Sequence, residues 1–186
     1  MHADHAKAAA ELIGTQFQHE WMTTYKVLTA IPEGSKDYKP EPNSRGAFEL
    51  ATHLAGADVW FLNGVINGKF GDPGSSQPTV ATVAELGDWY KHTFPKTLEH
   101  VLALDGVKLS QIIDFYGMKM PAVNFILFAL VHMVHHRGQL AAYLRPMGGK
   151  VPSIYGGSHD EPWQGAQTAS TQTADTQTAN TQAANT

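Results

Sequence analysis

The sequence predicts an all-α protein with four main helices, and three observations support this prediction. Four segments place apolar residues at three- and four-residue steps, which is the period of an amphipathic helix. The segments are separated by breaks rich in Pro, Gly, Asn and Asp, and no segment shows a comparable run of the alternation typical of strands. At 186 residues the chain is long enough to bury a core as one domain.

The first two helices are predicted on either side of a loop over residues 31–45, which contains Pro40 and Pro42. Pro32 and Gly34 are expected to end the first helix, whereas Ser44 is expected to cap the second, with Glu49 inside its first turn. The apolar stripes are Ile13, Phe17, Trp21, Thr24 and Leu28 in the first helix, and Leu50, Leu54, Ala57, Phe61 and Val65 in the second. His53 lies on the apolar face of the second helix.

The third and fourth helices follow a second long connection, expected over residues 67–80. The stripe of the third helix is Val83, Leu86, Tyr90, Phe94, Leu98 and Val101. Pro95 interrupts this stripe and predicts a kink. Residues 107–117 are expected to be irregular. The last helix is predicted to start at about Pro121 and to run to about Met147, where two glycines stop it.

The domain is predicted to cover residues 1–160 and to be followed by a tail over residues 161–186. From Gln167 onward the tail consists of near-copies of a five-residue unit rich in Gln, Thr and Ala. These units contain no large apolar residue, so they cannot offset the entropy lost when a chain is ordered, nor can they build a repeat solenoid. We therefore expect the tail to be disordered.

Composition excludes several classes of site and partner. The chain has no cysteine, so disulfides and thiolate metal sites are excluded and a transition metal would need imidazole or carboxylate ligands. The net charge of -4, without a Lys/Arg run, argues against nucleic acid as a partner. No segment has the ~20 apolar residues needed to cross a membrane, and residues 1–7 lack the apolar core of a signal peptide, so a cytoplasmic protein is expected.

Three of the ten histidines form the candidate metal site. His132 and His136 are four residues apart on the last helix, a spacing that lets two imidazoles converge on one ion. His53 adds a third imidazole from the second helix. The alternative is that these are core histidines that hydrogen-bond to backbone or to Tyr and Asp side chains. His135 points about 100° away from His136 around the helix, so we expect it to face solvent or a subunit interface.

The residues around these histidines resemble the DinB superfamily of metal-dependent proteins. The resemblance rests on the stretch Ala-Thr-His-Leu around His53, on His-Met-Val-His-His-Arg-Gly-Gln over residues 132–139, and on residues 151–156. It implies a four-helix bundle of up-down-down-up course that is often a homodimer. It also implies one divalent ion (nickel, zinc or iron) on His53, His132 and His136. Some relatives transfer or isomerise groups with a low-molecular-weight thiol.

Two classes of function remain open from the sequence. One is an enzyme (a thiol transferase, isomerase or hydrolase) in which the ion activates a small thiol or water toward a small electrophile. Gln139 and Tyr143 continue the face of His136, so they could support the metal or contact substrate. The other is a stress-associated metal-binding or scaffold protein without turnover. A pocket with polar groups beside the metal favours the enzyme. The polar candidates to inspect for it are Asp58, Asp114, Asn124 and Arg137, although solvation or capping is the role that we expect first for each.

Overall fold

A computed structural model describes residues 1–163 and contains four long helices. They are α1 (Ala3–Thr29), α2 (Ala47–Asn67), α3 (Val83–Leu102) and, after a short helix α4 (Gly106–Ser110) and the strands β1 (Ile112–Phe115) and β2 (Met118–Pro121), α5 (Ala122–Leu144). Short 3-10 turns over Glu33–Ser35 and Pro73–Ser76 lie in the two long connections. The predicted all-α four-helix bundle is confirmed, and the predicted stripes of α2 and α3 are buried throughout.

Packed side chains show the direction of each long helix. In α1 and α3, Gly14 packs on Leu102 and Thr29 packs on Gly87, so these two helices are antiparallel. In α1 and α5, Glu20 pairs with Arg137 and the Ala30 carbonyl lies against Gly149, so these helices are parallel.

The remaining direction comes from α2 and α5, which form the most extensive helix pair of the bundle. His53 lies beside His136, and Phe61 lies beside Phe128 with ring centroids 5.1 Å apart. Later residues of α2 therefore meet earlier residues of α5, and the two helices are antiparallel. Together these contacts give the predicted up-down-down-up course, with α2 and α5 side by side.

The start of α2 differs from the prediction. The helix begins at Ala47 after Gly46, and Ser44 does not cap it because its hydroxyl instead donates to Glu41 at 2.6 Å. Glu49 does fulfil its predicted role, since its carboxylate accepts a hydrogen bond from the Gly46 N–H at 3.4 Å. A carboxylate at this position satisfies a backbone donor and complements the positive end of the helix.

The segment before α5 was expected to be irregular, and this expectation was wrong. It contains α4 and an antiparallel hairpin in which Ile113 pairs with Met120. The turn places Tyr116 and Gly117 at φ 51° and 90°, the left-handed conformations that a two-residue hairpin turn requires. Strands of four residues are too short to show alternation in a sequence. The hairpin carries Phe115 onto the aromatic end of the α2 and α5 pair.

The last helix ends at Leu144, three residues before the predicted Met147, and Gly148 then takes a left-handed φ of 85°. Helix α3 runs through Pro95 without interruption.

None of the helices within residues 1–163 is long and apolar enough to span a membrane. The predicted tail from Gln167 lies outside the described residues.

Candidate metal centre

The structure brings the three predicted histidines together between α2 and α5. One ring nitrogen from each of His53, His132 and His136 lies within 4.8 Å of the other two. Two nitrogens that bind one zinc ion at ~2.0–2.1 Å are at most about 4.2 Å apart, so this arrangement is close to that of a ligand set. His135, as predicted, is exposed.

The Gln139 side chain orients His136. Its Oε1 atom lies 2.7 Å from His136 Nδ1 and can only accept, so Nδ1 carries the proton. The lone pair of His136 is then on Nε2, where it is available to a metal ion. Fixing the tautomer of a ligand through its second nitrogen is a usual feature of metal-binding histidines.

His132 has an unpaired nitrogen inside the protein. Its Nδ1 atom is buried and has no hydrogen-bond partner among residues 1–163. A buried polar atom without a partner is costly, and a metal ion among the three histidines is a partner that would satisfy this ring. The hydrogen-bonded core histidine, the alternative left open by the sequence, does not describe His132.

Burial and neighbouring charge keep the three rings neutral. Burial, followed by the Arg45 guanidinium and His136, lowers the pKa of His53 to about 4. Burial, followed by His136 and His53, lowers the pKa of His132 to about 3. The pKa of His136 is also lowered by burial, although the hydrogen bond with Gln139 opposes this shift. Near neutral pH all three rings are therefore in the form that binds metal ions.

An apolar cleft of about 350 Å³ opens beside His53 and His132. The other side chains that line it are Ala57, Trp60, Phe61, Pro73 and Gln77. The Phe61 and His132 rings meet edge to face with centroids 5.3 Å apart. The histidine cluster is thus reachable from the surface along an aromatic wall.

A second, polar cleft of about 490 Å³ opens beside His136. Its other lining residues are Ser44, Arg45, Leu50, Gln139 and Tyr143. This places both Gln139 and Tyr143 next to the histidine cluster, where the sequence predicted them. The cluster separates the two clefts, which share no lining residue.

The other polar candidates lie away from the two clefts, so none of them contributes to the pocket. Asp58 is buried in the core, where its Oδ2 accepts from the Tyr90 hydroxyl at 2.9 Å and burial raises the pKa of its carboxyl. Asp114 accepts a hydrogen bond from Gly117 in the hairpin turn. Asn124 lies on the outer face of α5, in a separate groove.

Arg137, the fourth of these residues, forms a buried ion pair with Glu20 of α1. Arg137 is 1% exposed and also donates to the Tyr155 hydroxyl at 2.6 Å. The sequence placed Arg137 beside two ligand histidines but did not reveal which way it points. Arg137 is one residue from His136, so its side chain is rotated by about 100° around the helix and points into the core instead of toward the histidine cluster.

Arg45 and Trp60 were missed as site residues. Arg45 precedes the first turn of α2, and Trp60 reads as an ordinary core residue on the same helix. Both enter the site because α2 lies antiparallel to α5. That information resides in the packing of two helices far apart in the sequence, and no local pattern contains it.

Comparisons with known proteins identify a family for this chain. The model of the DinB family matches residues 6–174. The uncharacterized protein YrdA of Bacillus subtilis is 24% identical over 147 residues, covering 78% of this chain and 87% of YrdA. The uncharacterized protein YjoA of the same organism is 27% identical over 128 residues, covering 67% of this chain and 82% of YjoA.

Solved structures of DinB-like proteins share the architecture. The YjoA crystal structure matches with a TM-score of 0.64 at 26% identity, covering 77% of this chain and 96% of that one. A DinB-like protein from Bacillus cereus matches with a TM-score of 0.67 at 25% identity, covering 78% and 97%. With a bundle of this course, the histidine cluster and a family match over most of its length, the chain belongs to the DinB family.

Proposed function

We propose that this chain is a metal-dependent enzyme whose single divalent ion, nickel, zinc or iron, is held by His53, His132 and His136. The donor set supports this assignment, because three neutral imidazoles suit borderline transition metals. The unpaired Nδ1 of His132 and the fixed tautomer of His136 support it further. Bound there with three protein ligands, such an ion supplies an open position at which a thiol or water is activated.

The two clefts favour an enzyme over a scaffold. A structural metal site is usually closed by four protein ligands, whereas this cluster has three histidines and adjoins clefts on both sides. A pocket that combines an apolar wall with a few polar groups is typical of a small-molecule site. This combination is the observation on which the proposal rests.

The chain's own residues have distinct tasks in this proposal. Gln139 holds the His136 ring in one tautomer and one orientation. Trp60 and Phe61 provide an apolar wall that excludes water from one side of the reacting atoms. Tyr143 lines the polar cleft, and its hydroxyl would hydrogen-bond to a substrate bound there. The reaction proposed is the transfer, isomerisation or hydrolysis of a small electrophile, with a low-molecular-weight thiol or water as nucleophile.

Cobalt substitution tests whether the metal position is open. Full-length protein loaded with cobalt should show a visible spectrum that changes when a small thiol is added, because sulfur ligation produces an intense charge-transfer band. His53→Ala should lose the spectrum, whereas His92→Ala, an exposed position on α3, should retain it. A cobalt spectrum that saturating thiol leaves unchanged would favour the metal-binding scaffold, and turnover of thiol with an electrophile would then also be absent.

A further inference from the structure

The two clefts lie along the seam between α2 and α5, with the histidine cluster between them, and the clefts and cluster together are called the groove. Since the helices are antiparallel, Arg45 at the start of α2 lies near Tyr143 at the end of α5. Trp60, further along α2, lies at the other end beside His132. The histidine cluster lies between the clefts, so a molecule with one end in each cleft would present its central atoms to the cluster.

The Trp60 end of the groove is built for an apolar group. Its wall is made of aromatic and small apolar side chains. Apart from the two histidines, the polar side chain among the described lining residues is that of Gln77. Trp60 stays in place because it packs against Phe61 and Phe70 at centroid distances of 5.0 Å and donates its indole N–H to the Gly71 carbonyl. A rigid aromatic wall of this kind binds an aromatic or branched aliphatic group.

The Arg45 end of the groove is built for an anion. Among the described lining residues, Arg45 is the one with a permanent charge, and the polar residues Gln139 and Tyr143 line the same cleft. The ion pair of Arg45 with Glu49 is 3.7 Å long, beyond hydrogen-bond distance, so the guanidinium keeps donors for a ligand. One guanidinium can bind one carboxylate through a bidentate pair of hydrogen bonds, whereas phosphate sites usually combine several donors. A single arginine therefore favours a carboxylate as the anion.

The proposal that follows rests on the proposed function, because it takes the histidine cluster as the reacting centre. We propose that the substrate is an elongated carboxylate, with its carboxylate on Arg45, its apolar group against Trp60 and its reacting atom midway at His53, His132 and His136. His53 and Trp60 are seven residues apart, about 10 Å of helix rise, and Arg45 is about as far in the other direction. The Arg45 and Trp60 backbones are therefore roughly 20 Å apart along the helix axis, and both long side chains line clefts beside the cluster, so the two ends of the substrate should be separated by roughly 10–15 Å.

The test compares three inert probes: ω-phenyloctanoate, its alcohol ω-phenyloctanol, and acetate. Binding to full-length protein is measured by calorimetry, in chelator and again after loading with cobalt. The acid should bind about ten-fold more tightly than the alcohol, since only the acid can engage the guanidinium. Acetate should bind far more weakly than either, because it cannot reach the apolar end. If the acid binds more tightly than the alcohol in chelator as well as with cobalt, the two ends of the substrate site are established even where the metal assignment fails.

Variants localise the two ends. Arg45→Gln should make the acid and the alcohol bind equally, Arg45→Lys should restore part of the preference, and Lys91→Gln, a loss of the same charge on exposed α3, should change nothing. Ala57→Leu should fill the apolar cleft and weaken acid and alcohol by the same factor. Equal binding of acid and alcohol by the wild type, or a preference that survives Arg45→Gln, would overturn the anion site. Unchanged affinities in Ala57→Leu would overturn the apolar site.

Discussion

Gln139 is a single residue whose role can be separated from the ligands themselves. Gln139→Leu removes the acceptor for His136 Nδ1–H while leaving the three histidines in place. Loss of such a supporting hydrogen bond should weaken metal affinity by about 10- to 100-fold. Gln139→Glu, which keeps an acceptor, should bind metal at least as well as the wild type. Competition with a coloured chelator measures these affinities.

A matched variant makes the Gln139 experiment specific. Gln18→Leu makes the same exchange at an exposed position of α1 and should leave metal affinity unchanged. Wild-type affinity in Gln139→Leu would mean that the His136 ring is held by its packing alone.

The Glu20 and Arg137 pair joins α1 to α5 in the core. Both side chains are at most 7% exposed, and Thr24 and Tyr155 complete the hydrogen bonds of the guanidinium. Such a pair contributes little net stability compared with an apolar pair of the same volume, but removing one partner strands a buried charge. Arg137 therefore has a structural role, although it sits beside His136 in the sequence.

Arg137→Met should lower the free energy of unfolding by roughly 3–5 kcal/mol, because Glu20 would be left buried without its partner. Urea unfolding of metal-free protein measures this loss. Arg145→Met removes a more exposed arginine paired with Asp160 and should cost under about 1 kcal/mol. If the two variants lost equal free energy of unfolding, the buried pair would contribute no more to stability than the exposed pair of Arg145 and Asp160.

Among the contacts between secondary-structure elements, Gly106 shows how closely α4 approaches α1, and Gly138 provides an open position for comparison. A Cβ atom at Gly106 would lie 2.2 Å from the backbone oxygen of Ala3, where α4 meets the start of α1. Gly106→Ala should therefore destabilise the fold by roughly 1–3 kcal/mol. Gly138 lies on the outer face of α5, where a Cβ atom would meet nothing within 4 Å.

Gly138→Ala is thus the matched exchange and should stabilise the fold by about 0.5–1 kcal/mol, because glycine costs entropy inside a helix. Thermal melts of both variants in chelator give the comparison. Equal effects of the two substitutions would contradict the close contact between α4 and α1.

The elements that the sequence predicted well are those with long periodic patterns. The stripe from Leu50 to Val65 specifies α2 because each of its residues is buried against a neighbouring helix. The hairpin escaped prediction because its pairs, such as Ile113 with Met120, occur in strands too short to carry a period. The start of α2 escaped because Ser44 bonds to Glu41, a local competitor that capping preferences alone do not reveal.

The site residues that the sequence could predict are likewise those with a local pattern. His132 and His136 could be predicted because four-residue spacing on one helix is a local property. His53 could be proposed from its place on the apolar face of α2. Arg45 and Trp60 could not, since they become neighbours of the cluster only through the antiparallel packing of α2 against α5. Whether a polar residue faces the groove or the core, as with Asp58, depends on the same packing.

At the scale of the whole molecule, the resemblance predicts a homodimer, and α5 offers a surface for it. Leu127, Phe128 and Val131 are 49%, 37% and 59% exposed on its outer face, an unusual exposure for three neighbouring apolar residues. Val131→Glu should convert the dimer to a monomer by placing a charge in the interface. Sedimentation velocity measures this change. A wild-type protein that is monomeric at micromolar concentration would contradict the prediction.

If three neutral histidines hold the metal ion, as proposed, the stabilisation that the metal provides should depend on pH. The folded-state pKa values of about 4 for His53 and about 3 for His132 lie below the unfolded value of ~6.5. Stability that depends on these neutral rings is complete above the unfolded pKa and is lost as pH falls toward the depressed folded values. Metal stabilisation follows the same course, because protons and metal compete for the same nitrogens.

Thermal melts of chelated protein, with and without added nickel or zinc, test this claim directly at pH 7.5 and pH 5. At a hundredfold excess of metal over the Kd at pH 7.5, added metal should stabilise the fold by about 2.7 kcal/mol, and the same metal concentration should stabilise it much less at pH 5. The His132→Ala, His136→Ala double variant should show no shift at either pH. A metal-induced shift of equal size at both pH values, or one that survives in the double variant, would contradict ligation by these histidines.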